Sequence, residues 1–186
     1  MYKKRFLFLL GVVMLAGLYF FPVWKISLSV PQYPKDISIH IWISGIENGT
    51  KKALEIMNVL NHNIGMKEID PAAIPEFKYF PWVLGAMILS GIIIAMQKKQ
   101  IYRVLYLALI LSLFVLAMYD FYLREYEYGH DLAEDAPLQI EGSSFQPPLI
   151  GQKNIVNFIV KSIPMIGILF PILSLVTILT AIIKEK

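Results

Sequence analysis

Four stretches of the chain are apolar almost without interruption: about Phe6 to Trp24, Phe80 to Met96, Val104 to Tyr122, and Ile163 to Ile183. A helix crosses the apolar core of a bilayer, roughly 30 Å, with about 20 residues, so each stretch predicts a transmembrane helix. The first follows Lys3, Lys4 and Arg5 and has the outline of a signal peptide. Its apolar run is too long for one and no small-x-small cleavage site follows, which predicts an uncleaved anchor. Pro164 falls near the start of the fourth stretch, where a missing N–H costs little. Pro171 falls inside it and predicts a kink.

Positive charge orients these spans. Lys98, Lys99 and Arg103 crowd the short link between the second and third, Lys3 to Arg5 precede the first, and Lys184 and Lys186 follow the fourth. The positive-inside rule places all three groups in the cytoplasm, and with them both termini. Aromatic residues mark the opposite boundary: Tyr19, Phe20, Phe21 and Trp24, then Tyr79, Phe80 and Trp82, then Tyr119, Phe121 and Tyr122.

Between the spans lie two external segments, about 25–79 and 123–160. In the first, Ile37 to Ile43 alternates strictly, a strand with isoleucines on one face and Ser38, His40 and Trp42 on the other. Gly45 and Asn48-Gly49 break it. Thr50 to Asn61 predicts a helix capped by Thr50, with Ala53, Ile56, Met57 and Leu60 as its apolar stripe and Gly65 as its stop. In the second segment the third span continues outward through Asp120, Arg124 and Glu127, which share a face, so that Arg124 can pair with both carboxylates. Gly129-His130 ends that helix. Pro137 and Gly142 mark a loop, Gln146 to Gly151 is stiff and extended, and Ile155, Val156, Phe158 and Ile159 make a short interfacial lead into the fourth span. The expected fold is an all-α membrane protein: one integral membrane domain, a four-helix transmembrane bundle with a small extracytoplasmic cap of a short strand plus an amphipathic helix.

Composition agrees. Of 186 residues, 56% are hydrophobic, and the mean hydropathy is +0.58, against about 45–50% apolar residues in soluble domains. The net charge of +3 comes from clusters at span ends, which argues against nucleic-acid binding. The absence of cysteine removes disulfides, CxxC redox motifs and thiolate metal sites. Asn48-Gly49-Thr50 is a glycosylation sequon, relevant only in a eukaryote.

The remaining chemistry is external. All three histidines, His40, His62 and His130, lie outside the spans, as does Met66. Imidazole with thioether suits copper(I), and imidazole with carboxylate suits copper(II) or zinc. His62 and Met66 are four residues apart, and His130 stands beside Glu127 and Asp131, so a folded outer face can gather them into a metal site. The plainer possibility is that both histidines are turn or interface residues, that His40 is packing, and that Asp120, Arg124 and Glu127 form an ionic network anchoring the third span. No nucleophile elbow, P-loop or dinucleotide fingerprint is present, so an enzyme is not the leading expectation. Nor do paired broken helices point to a repeat transporter.

Leu60-Asn61-His62-Asn63-Ile64-Gly65-Met66, together with Glu125-Tyr126-Glu127-Tyr128-Gly129-His130 through Gln146-Pro147-Pro148-Leu149-Ile150-Gly151, resembles a group of small bacterial four-span membrane proteins that accompany nitrous oxide reductase and its copper-maturation factors. The resemblance covers the external segments and the general layout. It implies an accessory or assembly protein of a bacterial inner membrane, with copper handling for a periplasmic enzyme and a membrane or periplasmic protein partner. His62, Met66 and His130 are then the expected ligands, on the chemistry just given. The alternatives are a structural subunit of a larger membrane complex with no ligand of its own, and a membrane enzyme or transporter using the external carboxylates and histidines.

Overall fold

The computed structural model describes residues 2–134, 136–138, 145–155 and 157–183; Gly142, Val156, Lys184 and Lys186, named above, lie outside the described residues. Within them the chain forms five α-helices and a five-stranded antiparallel sheet. This mixed α/β architecture replaces the expected all-α bundle with its strand-and-helix cap. One layer holds α1 (Tyr2–Met14), α3 (Glu76–Met96), α4 (Gln100–His130) and α5 (Leu169–Ile183). The other holds β1 (Trp24–Ser29), β2 (Ile37–Trp42), β3 (Gly45–Asn48), β4 (Gly151–Ile155), β5 (Phe158–Pro164) and α2 (Ala53–Asn63). The strand order is β3-β2-β1-β5-β4.

The sheet arises where the ends of two apolar runs change period. After α1 and a 3₁₀ turn over Leu15–Tyr19, Pro22 cannot continue a helix, and Trp24-Lys25-Ile26-Ser27-Leu28-Ser29 alternates with period two. Phe158 to Pro164 is likewise extended and pairs with β1, Trp24 opposite Pro164 and Leu28 opposite Val160. The first span therefore does not reach Trp24, and the fourth does not begin at Ile163. Pro164 ends a strand instead of opening a helix, and Pro171, the third residue of α5, lies in the first helical turn, where no intrahelical N–H is needed.

The two ends of the chain thus make one antiparallel ribbon, extended in one layer and helical in the other. Glycines set its closeness. A Cβ on Gly11 would stand 2.6 Å from Ile178 Cγ1, and one on Gly17 would stand 2.2 Å from the Phe170 ring. Two apolar cores result. Phe8, Val12, Tyr106 and Ile178 centre the helical one; Leu28, Ile37, Ile39, Met57 and Val160 centre the sheet one.

The alternating segment at Ile37 is a strand, as its period requires, and α2 follows with Gly65 at its end in the left-handed region, φ +79°. Thr50 is not the cap. Its Oγ1 accepts from the Ser38 N–H at 3.1 Å, and the Asn48 carboxamide oxygen takes the Leu54 N–H at 2.8 Å.

Among the described residues three helices, Glu76–Met96, Gln100–His130 and Ile166–Ile183, are long and apolar enough to cross a membrane. α1 has 13 residues before its 3₁₀ extension and is not among them. Their outward faces are mostly apolar: Trp82 is 80% exposed, and Leu89, Ile93, Leu105, Leu116 and Val176 are exposed with it. So much contiguous apolar surface suits lipid contact far better than water. At 1.5 Å per residue α4 is roughly 46 Å long, so beyond a bilayer core of roughly 30 Å its turns from about Leu123 onward stand beside the sheet layer.

Candidate functional site

Where the sheet's apolar face meets the sheet-side ends of α3 and α4, the layers leave a partly open cavity of about 680 Å³. Trp24, Ile26 and Leu28 of β1 and Ile39 and Ile41 of β2 line it on one side. Phe77, Phe80 and Leu84 of α3 and Leu113, Phe114 and Phe121 of α4 line the other. Trp24 is fixed by two hydrogen bonds in series: its indole N–H donates to Ser162 Oγ at 2.7 Å, and Ser162 donates to the Leu149 carbonyl at 3.0 Å. Its ring packs 5.2 Å from that of Phe121.

Ionisable groups enter this wall from the first turn of α3 and from α4, as Glu76, Asp120, Arg124 and Glu125. Arg124 bridges the two helices, ion-paired with Glu76 and, through Nε at 3.3 Å, with Asp120. The expected partner Glu127 is elsewhere. It meets Lys67 at 2.9 Å, and Asp131 meets the same ammonium at 2.7 Å. Asp131, then Glu127, hold the Lys67 ammonium above its ordinary range.

Glu125 is the group that local sequence reasoning missed. It is only 5% exposed, and among the described residues neither carboxylate oxygen has a hydrogen-bond partner. Burial pushes its carboxyl up to about 8. A helical wheel run to His130 contains the signal. Phe121, Glu125 and Gly129 are spaced by four, and that stripe faces the sheet layer: Phe121 packs on Trp24, and Gly129 lies against Gln146. Glu125 is a lone carboxyl on an inward stripe.

The expected metal ligands occupy different surroundings. His62 is exposed in the last turn of α2. Met66 is half-buried, packed on the sheet core and lining the cavity. His130 is exposed in the last turn of α4, its ring stacked on Tyr126 at 3.9 Å and Nδ1 2.9 Å from the Tyr126 carbonyl oxygen. The backbones of the two segments do meet: Ala133 N–H donates to Gly65 O at 2.8 Å and Leu138 N–H to Asn63 O at 3.0 Å. Among the described residues no group of three or more His, Cys, Asp and Glu side chains is arranged to hold a metal ion. His40 sits on β2 opposite Lys25 and Glu47, a half-buried strand residue. No family model, no curated protein and no solved structure matches this chain.

Proposed function

We propose that this protein is an accessory protein of a bacterial inner membrane that holds an amphiphile at the junction of its helices and its sheet. The observation that carries the proposal is the cavity. Its volume of about 680 Å³ lies within the range of small-molecule sites, about 300–1,000 Å³. Its walls are mostly apolar, with Asn61, Tyr119, Tyr128, the Trp42 indole N–H and the charged group on α3 and α4 as polar points. An apolar tail fits such walls, and a polar head fits the ionisable end. The membrane setting is supported by the three long apolar helices and their lipid-compatible faces. Orientation follows from Lys3, Lys4, Arg5, Lys98 and Lys99, which lie at the helix ends away from the sheet and favour the cytoplasmic side. The sheet layer then faces outward.

The test is the lipid content of protein purified in mild detergent, measured by mass spectrometry beside Leu113→Trp, which fills the cavity from α4. Wild-type protein is expected to retain an amphiphile that the variant loses by roughly tenfold, the equivalent of about 1.4 kcal/mol. Equal retention by both proteins overturns the proposal.

Copper handling is the second reading, favoured by the backbone junction between residues 63–65 and 133–138. On that reading His62, Met66 and His130 bind copper(I), and the accessory role is the maturation of a periplasmic copper enzyme. Competition with a chromogenic chelator measures it. Stoichiometric copper that His62→Ala/His130→Ala loses supports a site; indistinguishable curves for the two proteins remove it.

A further inference from the structure

The polar end of the cavity is unequally charged. Glu76, Asp120 and Glu125 bring three carboxyl groups, and Arg124 brings one guanidinium. That guanidinium is engaged by Glu76 and Asp120. Two donors on the wall are directed elsewhere: the Asn61 amide donates to the Lys67 carbonyl at 3.4 Å and the Tyr128 hydroxyl to the Glu68 carbonyl at 3.3 Å; the Trp42 indole N–H, on β2, has no partner among the described residues. Glu125 is left buried beside an apolar space, both oxygens without a partner among the described residues. A buried carboxyl without donors is costly, and a ligand that brings both N–H donors and a positive charge relieves that cost most.

We propose that the occupant of the cavity is an amphiphile with a primary ammonium head, and that Glu125 is its counter-ion. This rests on the amphiphile-binding reading above. The surplus of carboxyl groups disfavours a carboxylate or phosphate placed at the same point, and an uncharged hydroxyl head supplies one donor and no charge. The tail lies between the sheet face and α4, alongside Trp24 and Trp42, both on the cavity wall. A free long-chain amine and the amine of an aminophospholipid headgroup share this chemistry.

Those two tryptophans report on the site. The chain has three tryptophans, and Trp82→Phe removes the lipid-facing one. The Trp82→Phe protein in phosphatidylcholine nanodiscs is titrated with 12-bromododecylamine and with 12-bromododecanol, whose bromine quenches indole fluorescence on contact. The amine is expected to quench at concentrations roughly tenfold below the alcohol, as a charge-assisted pair requires. Glu125→Gln on that background is expected to abolish the preference while the alcohol still quenches. Equal quenching in the parent protein, or a preference retained by Glu125→Gln, overturns the ammonium site and leaves amphiphile binding standing. Quenching by neither compound overturns both. Repeating the amine titration in phosphatidylethanolamine nanodiscs separates the sources. A rightward shift identifies the lipid headgroup as a competitor, and an unchanged curve identifies a free amine.

Discussion

Glu125→Gln is expected to stabilise the protein at alkaline pH and to flatten its pH dependence. In the unfolded chain the Glu125 carboxyl loses its proton near the ordinary value of 4.5; in the folded protein it holds it up to about 8. The folded state therefore binds the proton more tightly. Stability from this group is fully present below about 4.5, falls as pH rises from there toward about 8, and stays low above it. At about 1.4 kcal/mol for each tenfold change in proton affinity, the whole span is on the order of 5 kcal/mol, an upper figure because local relaxation and water entry reduce it. Glutamine has nearly the same shape, cannot ionise and brings an N–H donor. Thermal unfolding of both proteins in nanodiscs between pH 5 and pH 9 gives a difference curve that isolates this group. Asp36 has the opposite sign, its carboxyl held below the usual range by the Ser29 hydroxyl and Lys161, so its stabilisation is lost only in acid. A wild-type midpoint that falls no faster with pH than that of Glu125→Gln would show that the carboxyl is solvated in the native protein. Adding a long-chain amine should shrink the wild-type slope, since the ammonium stabilises the ionised form.

Gly129→Ala is expected to cost about 3 kcal/mol, the upper end for overpacking a well-filled site. A Cβ at position 129 would lie 2.2 Å from Gln146 Cα and 2.3 Å from Gln146 N, both backbone atoms with no rotamer to yield. The Phe145 N–H also donates to the Gly129 carbonyl at 3.1 Å, so the crossing segment is tied to the helix at that point. Displacing it withdraws Phe145, which is buried in the sheet core and lines the cavity. The loss should appear in the fluorescence of Trp24 and Trp42 on titration with a denaturing detergent. Ser90→Ala, at a half-buried helical position whose hydroxyl returns to its own helix at Met87 O, is the control and should stay within about 0.5 kcal/mol. A Gly129→Ala transition that overlays the wild type would mean that the Phe145–Gln146 crossing is loose.

What the sequence determined by itself is the apolar material of the long helices. Three of the long apolar runs form helices long and apolar enough to cross a membrane, a property that depends on composition over some 20 residues and hardly on neighbours. The strand at Ile37 and the stop at Gly65 were equally legible, since a strict period of two and a glycine with positive φ are local properties. The sheet was not. β1 and β5 lie at the ends of apolar runs, where residues such as Trp24 and Ile163 extend either a span or a strand, and pairing across more than a hundred residues decided between them. Tertiary structure alone sent Glu127 to Lys67, gave Arg124 its second carboxylate in Glu76, and turned Glu125 inward. Ion pairing and desolvation depend on which charges and surfaces converge in space, and the packing of α4 against α3, the segment after α2 and the sheet layer brought these together.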